Sequence, residues 1–238
     1  FPLKKDFSGL TDNIDDVNEF VKNCNLAQTK INLDNEIKFL KTHHAFWRNG
    51  NYEFTDLENT LGVIHIIRDP RNVITSVFNH FNIDSYAHAL EFMNDPLQCI
   101  GVKGGESGHD LMTIISSWGN HYSSWKKFKK NNLLIKYENL INNPEKEFVK
   151  LCNFIEDISG LKFEKKLILR AIENCNFNNL KKQEASNGFA EGATNKANIK
   201  NEFFNLGPEN DWEKLLTKEI KDKIEILFEK EMKEAGYL

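Results

Sequence analysis

Apolar residues recur along this chain at two periods, and the two periods alternate. Gly62-Val63-Ile64-His65-Ile66-Ile67 is a β-branched run, the pattern of a strand buried on both faces of a parallel sheet. Asp69-Pro70 follows, a helix cap and a first helical residue. Val73, Ile74, Val77, Phe78 and Phe81 then recur at helical spacing, so 62–82 predicts strand, tight turn, helix. Leu133-Leu134-Ile135-Lys136-Tyr137 predicts a second buried strand. Asn143-Pro144 opens a helix that turns Phe148, Leu151, Cys152 and Ile155 inward. Near the start, Ile14, Val17, Phe20, Val21 and Cys24 share one face of a helix over 12–24, with Thr11 or Asp12 as its cap. Weaker patterns predict a short strand at 37–40 and a loop then a short helix over 46–58. Helices are predicted near 85–94, 111–127, 163–174 and 217–235. Residues 101–109 and 184–201, rich in Gly, Ala and Asn, predict mobile loops. Strands alternating with helices, with no internal repeat and no linker, predict one α/β domain over 1–238 around a parallel sheet.

Composition narrows the function classes. With 40% hydrophobic and 28% charged residues and 18 phenylalanines, the chain can fill a core and is not a disordered or fibrous protein. A formal charge of −4 argues against a generic nucleic-acid binder, so any anion site is local. Cys24, Cys99, Cys152 and Cys175 form no C-x-x-C pair and no zinc spacing, which predicts free thiols, no metal and a reducing, cytoplasmic setting. No apolar run reaches the length of a membrane span. The first residue is Phe1 rather than Met, which leaves two readings open, a processed protein or a sequence without its true N-terminus, and leaves room for a signal peptide or anchor upstream.

Chemistry concentrates at the turn after the first long strand. In open α/β sheets ligands bind beyond the carboxyl ends of strands, where the next helix offers amides and a positive dipole end. Arg68 sits at that strand end with a guanidinium able to grip a phosphate by two hydrogen bonds. Arg71 lies in the first helical turn, and Ser76 farther in can donate a hydroxyl. The competing reading pairs Arg68 with a carboxylate and makes Ser76 an ordinary helical serine. Lys41-Thr42-His43-His44 holds a histidine suited to general-base work, against the alternative that it is structural. His65, inside an apolar strand, reads as a core histidine. Trp118 and Trp125, seven residues apart, read as core packing.

These segments occur in an order that resembles the sulfotransferase family using 3′-phosphoadenosine-5′-phosphosulfate (PAPS), nearest its bacterial members of the cytosolic type. Lys41-Thr42-His43 resembles the family's Lys-Thr-His element. Val63 through Val73 and on to Ser76 resembles its 3′-phosphate-binding segment. Leu134 through Leu140, then Asn143-Pro144, resembles its Tyr-Glu-Asp-Leu…Pro element. Phe177-Asn178-Asn179-Leu180 and Phe204 to Trp212 resemble two later steps, and Glu234-Ala235-Gly236-Tyr237 the family's ending. The match covers roughly residues 37–238. It implies a three-layer α/β sandwich with a central parallel sheet, the P-loop nucleotide-kinase-like sulfotransferase fold. It implies that Arg68 and Ser76 bind the 3′-phosphate, that Tyr137 lies near the adenine, and that Phe204 and Gly207 complete the nucleotide site. His43 would take the acceptor's proton and Lys41 would hold the geometry and developing charge. The reaction would move a sulfuryl group, without a metal, to a hydroxyl or amine of a small molecule or sugar, leaving 3′-phosphoadenosine-5′-phosphate (PAP). Loops 101–109 and 184–201 would cover the site.

Three departures go with the resemblance. The family's Lys-x-Gly-[Thr/Asn]-Thr-Trp loop is absent from these residues, which implies that it and its strand precede Phe1. The late Arg-Lys-Gly reads Asn205-Leu206-Gly207, with Lys196 or Lys200 as candidate replacement cations. The dimer element survives only as Thr217, with Lys218 in place of Val. A second reading, a non-catalytic protein on the same fold that binds PAP or a similar nucleotide or serves in interaction, therefore stays open.

Overall fold

The computed structural model describes residues 1–101, 111–189 and 201–238. In chain order the first part holds α1 (Val17–Ile31), the two-residue strands β1 (Arg48–Asn49) and β2 (Tyr52–Glu53), β3 (Val63–Ile67), α2 (Pro70–His80) and α3 (Tyr86–Asn94). Next come β4 (Cys99–Ile100), β5 (Thr113–Ile114), α4 (Trp118–Trp125) and β6 (Asn132–Lys136). The rest is helical: α5 (Tyr137–Asn142), α6 (Pro144–Ser159), α7 (Lys165–Asn174), α8 (Phe177–Asn187), α9 (Trp212–Leu215), α10 (Lys218–Leu227) and α11 (Glu229–Ala235). The described residues fall into two compact units, Phe1–Val63 with Asp95–Asn132, and Ile64–Asn94 with Leu133–Leu238.

In the first unit, α1 starts later than its apolar pattern suggests. Asp16 rather than Thr11 or Asp12 caps it, its carboxylate accepting from the amides of Asn18 and Glu19. Thr11 instead closes a turn onto the Asn13 amide. Val17 is 48% exposed, and the expected face holds from Phe20 onward. Phe20, Val21, Cys24 and Ala27 enter a core with Phe7, Phe54, Leu111, Trp125 and Phe128. Each large apolar side chain buried there contributes about 1.5–3 kcal/mol.

Two expected elements of this unit do not form. Residues 35–47 have no regular structure, and Phe39, in the expected strand at 37–40, is 65% exposed. A strand needs a neighbour for its amides and carbonyls, and none is present there among the described residues. Instead of loop and helix over 46–58, β1 and β2 form a small antiparallel hairpin with Arg48 opposite Glu53. The helix expected over 111–127 is shortened to α4 because β5 takes Thr113 and Ile114 into pairing with β4.

In the second unit, β3 and β6 lie side by side and parallel. His65 and Ile67 are buried, as is Ile135 of β6, but Ile66 on the opposite face is 56% exposed. The expectation of burial on both faces therefore holds for one face only. Asp69 caps α2 through the Arg71 amide, with Pro70 inside the first turn. Ile74, Ala89, Leu90, Met93, Cys152, Ile155, Ile220 and Ile224 are buried. The helix expected over 217–235 breaks at Phe228, which has φ −115° and ψ 20°, into α10 and α11. Of the two expected loops, residues 102–109 and 190–200 lie outside the described residues, and 184–187 complete α8 rather than a loop.

Candidate functional site

The β3–α2 turn brings together most of the residues picked out for anion binding. Arg68 follows the last residue of β3, so its guanidinium projects past the strand's carboxyl end. Its Nη1 lies 3.5 Å from the Ser76 hydroxyl, and its Nη2 donates to the Gly207 carbonyl at 3.3 Å. The guanidinium stacks on the Tyr137 ring, 4.3 Å from its centroid. Its Nε is buried and makes no hydrogen bond among the described residues. No carboxylate lies within ion-pairing distance of Arg68 among the described residues. Burial pulls its pKa down, against the charges of Tyr137, Glu138 and Asp69. A desolvated cation with an unused donor fits a phosphate oxygen better than it fits its present surroundings.

Arg71, in the first turn of α2, does the opposite. Its guanidinium forms a two-toothed pair with Asp69, at 3.0 Å from Nε to Oδ1 and 2.6 Å from Nη2 to Oδ2. Nη1 reaches Glu225 at 2.6 Å, and Nη2 also donates to the Tyr237 carbonyl at 3.0 Å. The Trp212 ring covers it at 4.1 Å. Burial works against its charge, but the bonds to Asp69 and Glu225 outweigh that and raise its pKa. Carboxylate pairing, the alternative reading for Arg68, thus belongs to Arg71.

The amides at the start of α2 are not free for an anion either. The Arg71 amide goes to the Asp69 carboxylate, and those of Asn72 and Val73 go to the Asp69 carbonyl. Asp-Pro removes one donor and occupies the others, so the amides of Arg71, Asn72 and Val73 are already spent within the turn.

The stretch from Phe204 to Trp212 is tied to α2 by side chains that pattern reading missed. Asn210 donates to the Asn72 carbonyl at 3.0 Å and accepts from the Thr75 hydroxyl at 2.9 Å, and the Trp212 amide donates to the Asn72 side chain at 3.1 Å. These bonds carry Gly207 to Arg68. Gly207 has φ +52°, and a Cβ there would strike the edge of the Phe177 ring, so both backbone and space require glycine. Phe177 in turn packs edge-on against Phe204 at 6.2 Å, while the Phe203 and Phe204 amides donate to Glu184 of α8 at 2.7 and 2.9 Å. Lys196 and Lys200, the candidate replacement cations, lie outside the described residues. Lys181 of α8 donates to the Asn205 carbonyl at 3.4 Å and pairs with Glu202 at 3.0 Å, a cation beside this stretch that no motif flagged.

Lys41 and His43 belong to the first unit, in its irregular segment, and both are exposed. Neighbouring groups hold that segment. The Trp125 indole donates to the His44 carbonyl at 2.9 Å, and the Phe46 amide donates to the Ser124 hydroxyl at 2.9 Å. His44 is buried in an aromatic stack with Phe54 and Phe20, at 4.8 and 5.6 Å. Its Nδ1 accepts from the Ile114 amide at 3.1 Å and the Trp47 indole at 3.3 Å. Burial pulls its pKa down to about 3, so it is neutral and structural. His43 is the exposed member of the pair.

A family model described as a sulfotransferase domain matches residues 10–236. Sulfotransferase 1B1 of Canis lupus familiaris is 26% identical over 180 residues, covering 74% of this chain and 56% of that protein. Amine sulfotransferase of Oryctolagus cuniculus is 24% identical over 185 residues, with shares of 74% and 56%. Cytosolic sulfotransferase 17 of Arabidopsis thaliana is 25% identical over 189 residues, with shares of 74% and 51%. The chain spans about half the length of the curated relatives it matches. Among solved structures, mouse sulfotransferase SULT7A1 complexed with PAP superposes with a TM-score of 0.51 at 22% identity, over 72% of this chain and 58% of that one. The likeness is one of α/β fold, the class that the alternation of strands and helices predicts.

Proposed function

The chain belongs to the sulfotransferase family, and from that premise we propose that it moves a sulfuryl group from PAPS to a hydroxyl or amine of a small-molecule or carbohydrate acceptor. The observation that carries this reading is Arg68. It is desolvated, without a carboxylate partner among the described residues, stacked on Tyr137 and adjacent to Ser76 and Gly207. Arg68 and Ser76 would take the 3′-phosphate, with Tyr137, Phe204 and Gly207 shaping the nucleotide site around it. PAPS supplies the activated sulfuryl group. His43, exposed and next to a neutral buried neighbour, takes the proton from the acceptor, and Lys41 offsets charge on the moving group. As the acceptor–sulfur bond forms, the bond from sulfur to the 5′-phosphate oxygen breaks and PAP leaves. No described helix is long and apolar enough to cross a membrane. The cytosolic naming of the plant relative supports a cytoplasmic setting.

The replacement of two expected cations by Asn205 and Leu206 favours one alternative, binding of PAP without turnover. Calorimetric titration and thermal shift of the full-length protein with PAP, ADP and magnesium-ATP test the donor class. A response to PAP alone supports the reading, and no response to PAP overturns it. A PAPS turnover assay then separates enzyme from binder.

A further inference from the structure

Three carboxylates stand around the β3–α2 turn, and every oxygen of all three is engaged by a donor other than Arg68. Both oxygens of Asp69 are held by Arg71. One oxygen of Glu225 is held by Arg71 and the other lies 3.3 Å from Lys221. In Glu138, Oε1 accepts from the Asp69 amide at 2.8 Å and Oε2 from the Tyr237 hydroxyl at 2.9 Å. Tyr237 is itself fixed on several sides. Its carbonyl accepts from Arg71 at 3.0 Å, and Lys136 sits over its ring at 4.5 Å while donating to the Gly236 carbonyl at 3.1 Å. Glu138 is next in sequence to Tyr137, the ring on which Arg68 stacks.

We propose that Tyr237 and Arg71 are positioning residues that lock these carboxylates away from Arg68, so that its charge is spent on an anionic ligand instead of on the protein. Their occupancy explains why a cation that feels the charges of Glu138 and Asp69 has no acid partner among the described residues. The weakest point of the lock is the single Tyr237 hydroxyl, because Glu138 Oε2 has no other donor among the described residues. Without that hydroxyl the carboxylate turns toward the neighbouring guanidinium, and ligand phosphate must compete with an internal partner at short range. This inference rests on the reading that Arg68 binds the 3′-phosphate of PAP.

The test compares PAP with AMP, which lacks the 3′-phosphate, by calorimetry on the full-length protein. In wild type, PAP binds more tightly than AMP. Tyr237→Phe keeps the ring and its packing, and is expected to weaken PAP about tenfold while leaving AMP within about twofold. Glu138→Gln in that background removes the freed charge yet keeps an acceptor for the Asp69 amide, and is expected to recover most of the PAP affinity. A purely structural role for Tyr237 predicts the reverse, equal losses for both nucleotides and a deeper loss in the double variant. Arg71→Lys, which loses the two-bond fork on Asp69 and so frees one of its oxygens, is expected to lower the PAP-to-AMP ratio in the same direction. An unchanged ratio in Tyr237→Phe and Arg71→Lys overturns the lock alone. A wild type that does not prefer PAP to AMP overturns the functional reading and the lock with it.

Discussion

Replacing Gly207 with Ala tests how tightly the late stretch is fitted to its surroundings. The backbone at φ +52° costs an L-residue about 1 kcal/mol. The added Cβ would meet three atoms of the Phe177 ring edge inside contact distance, and that ring is confined by Phe204. Overpacking of this kind costs about 2 kcal/mol. The sum, about 3 kcal/mol, corresponds to a melting temperature lower by about 6–12 °C in a chain of this size. The assay is thermal unfolding of Gly207→Ala, Phe177→Ala and the double variant. Phe177→Ala removes the ring that the methyl strikes, so the packing part of the loss vanishes in the double variant while the φ part stays. A favourable coupling of about 2 kcal/mol is therefore expected between the two sites. Strictly additive losses, or a Gly207→Ala melting temperature within about 2 °C of wild type, would refute the reasoning. The Gly207 carbonyl also accepts from Arg68, so PAP affinity should fall together with stability.

Arg68→Ala is expected to weaken PAP by about a hundredfold, the loss of a two-bond charged contact, while adenosine 5′-phosphosulfate, without a 3′-phosphate, loses little. Equal losses in calorimetry would remove Arg68 as the reader of that group. His43→Ala is expected to abolish transfer from PAPS while PAP still binds, and normal turnover would remove His43 as the base. His44 sets an acid limit on stability. Its pKa is depressed to about 3 when folded, against 6.5 in the open chain, so below 6.5 the unfolded state takes up the proton first. Its share of stability, complete above 6.5, is lost at about 1.4 kcal/mol per pH unit as pH falls, or about 2 kcal/mol by pH 5. Urea unfolding of wild type and His44→Phe from pH 7 to pH 5 should show a shallower acid fall in the variant, and parallel curves would count against a neutral buried His44.

Local chemistry made much of this protein legible from its residues. The run Val63–Ile67 and the pair Asp69-Pro70 specify strand, turn and cap within eight residues, because β-branched packing and capping bonds reach only a few positions. The order of segments pointed to the family and to Arg68, Ser76, Tyr137 and Gly207, which the structure gathers in one unit. Asn72, Thr75, Asn210, Lys181, Glu138 and Tyr237 were less legible, since a polar side chain carries no period that reveals its partner.

Sequence alone was enough for the strand at 63–67, the Asp69-Pro70 turn and cap behind it, and the family the chain joins. Tertiary structure alone decided how two arginines of the same chemistry, three positions apart, divide their work. Arg71 found its partners at 225 and 237, more than 150 residues away, whereas Arg68 reaches a carbonyl, a hydroxyl and a ring but no carboxylate among the described residues. It also decided against the strand at 37–40, which has an apolar run but no neighbour among the described residues to complete its hydrogen bonds. Propensity and capping act over a turn of chain, whereas ion pairs and strand pairing are set by what the fold brings alongside.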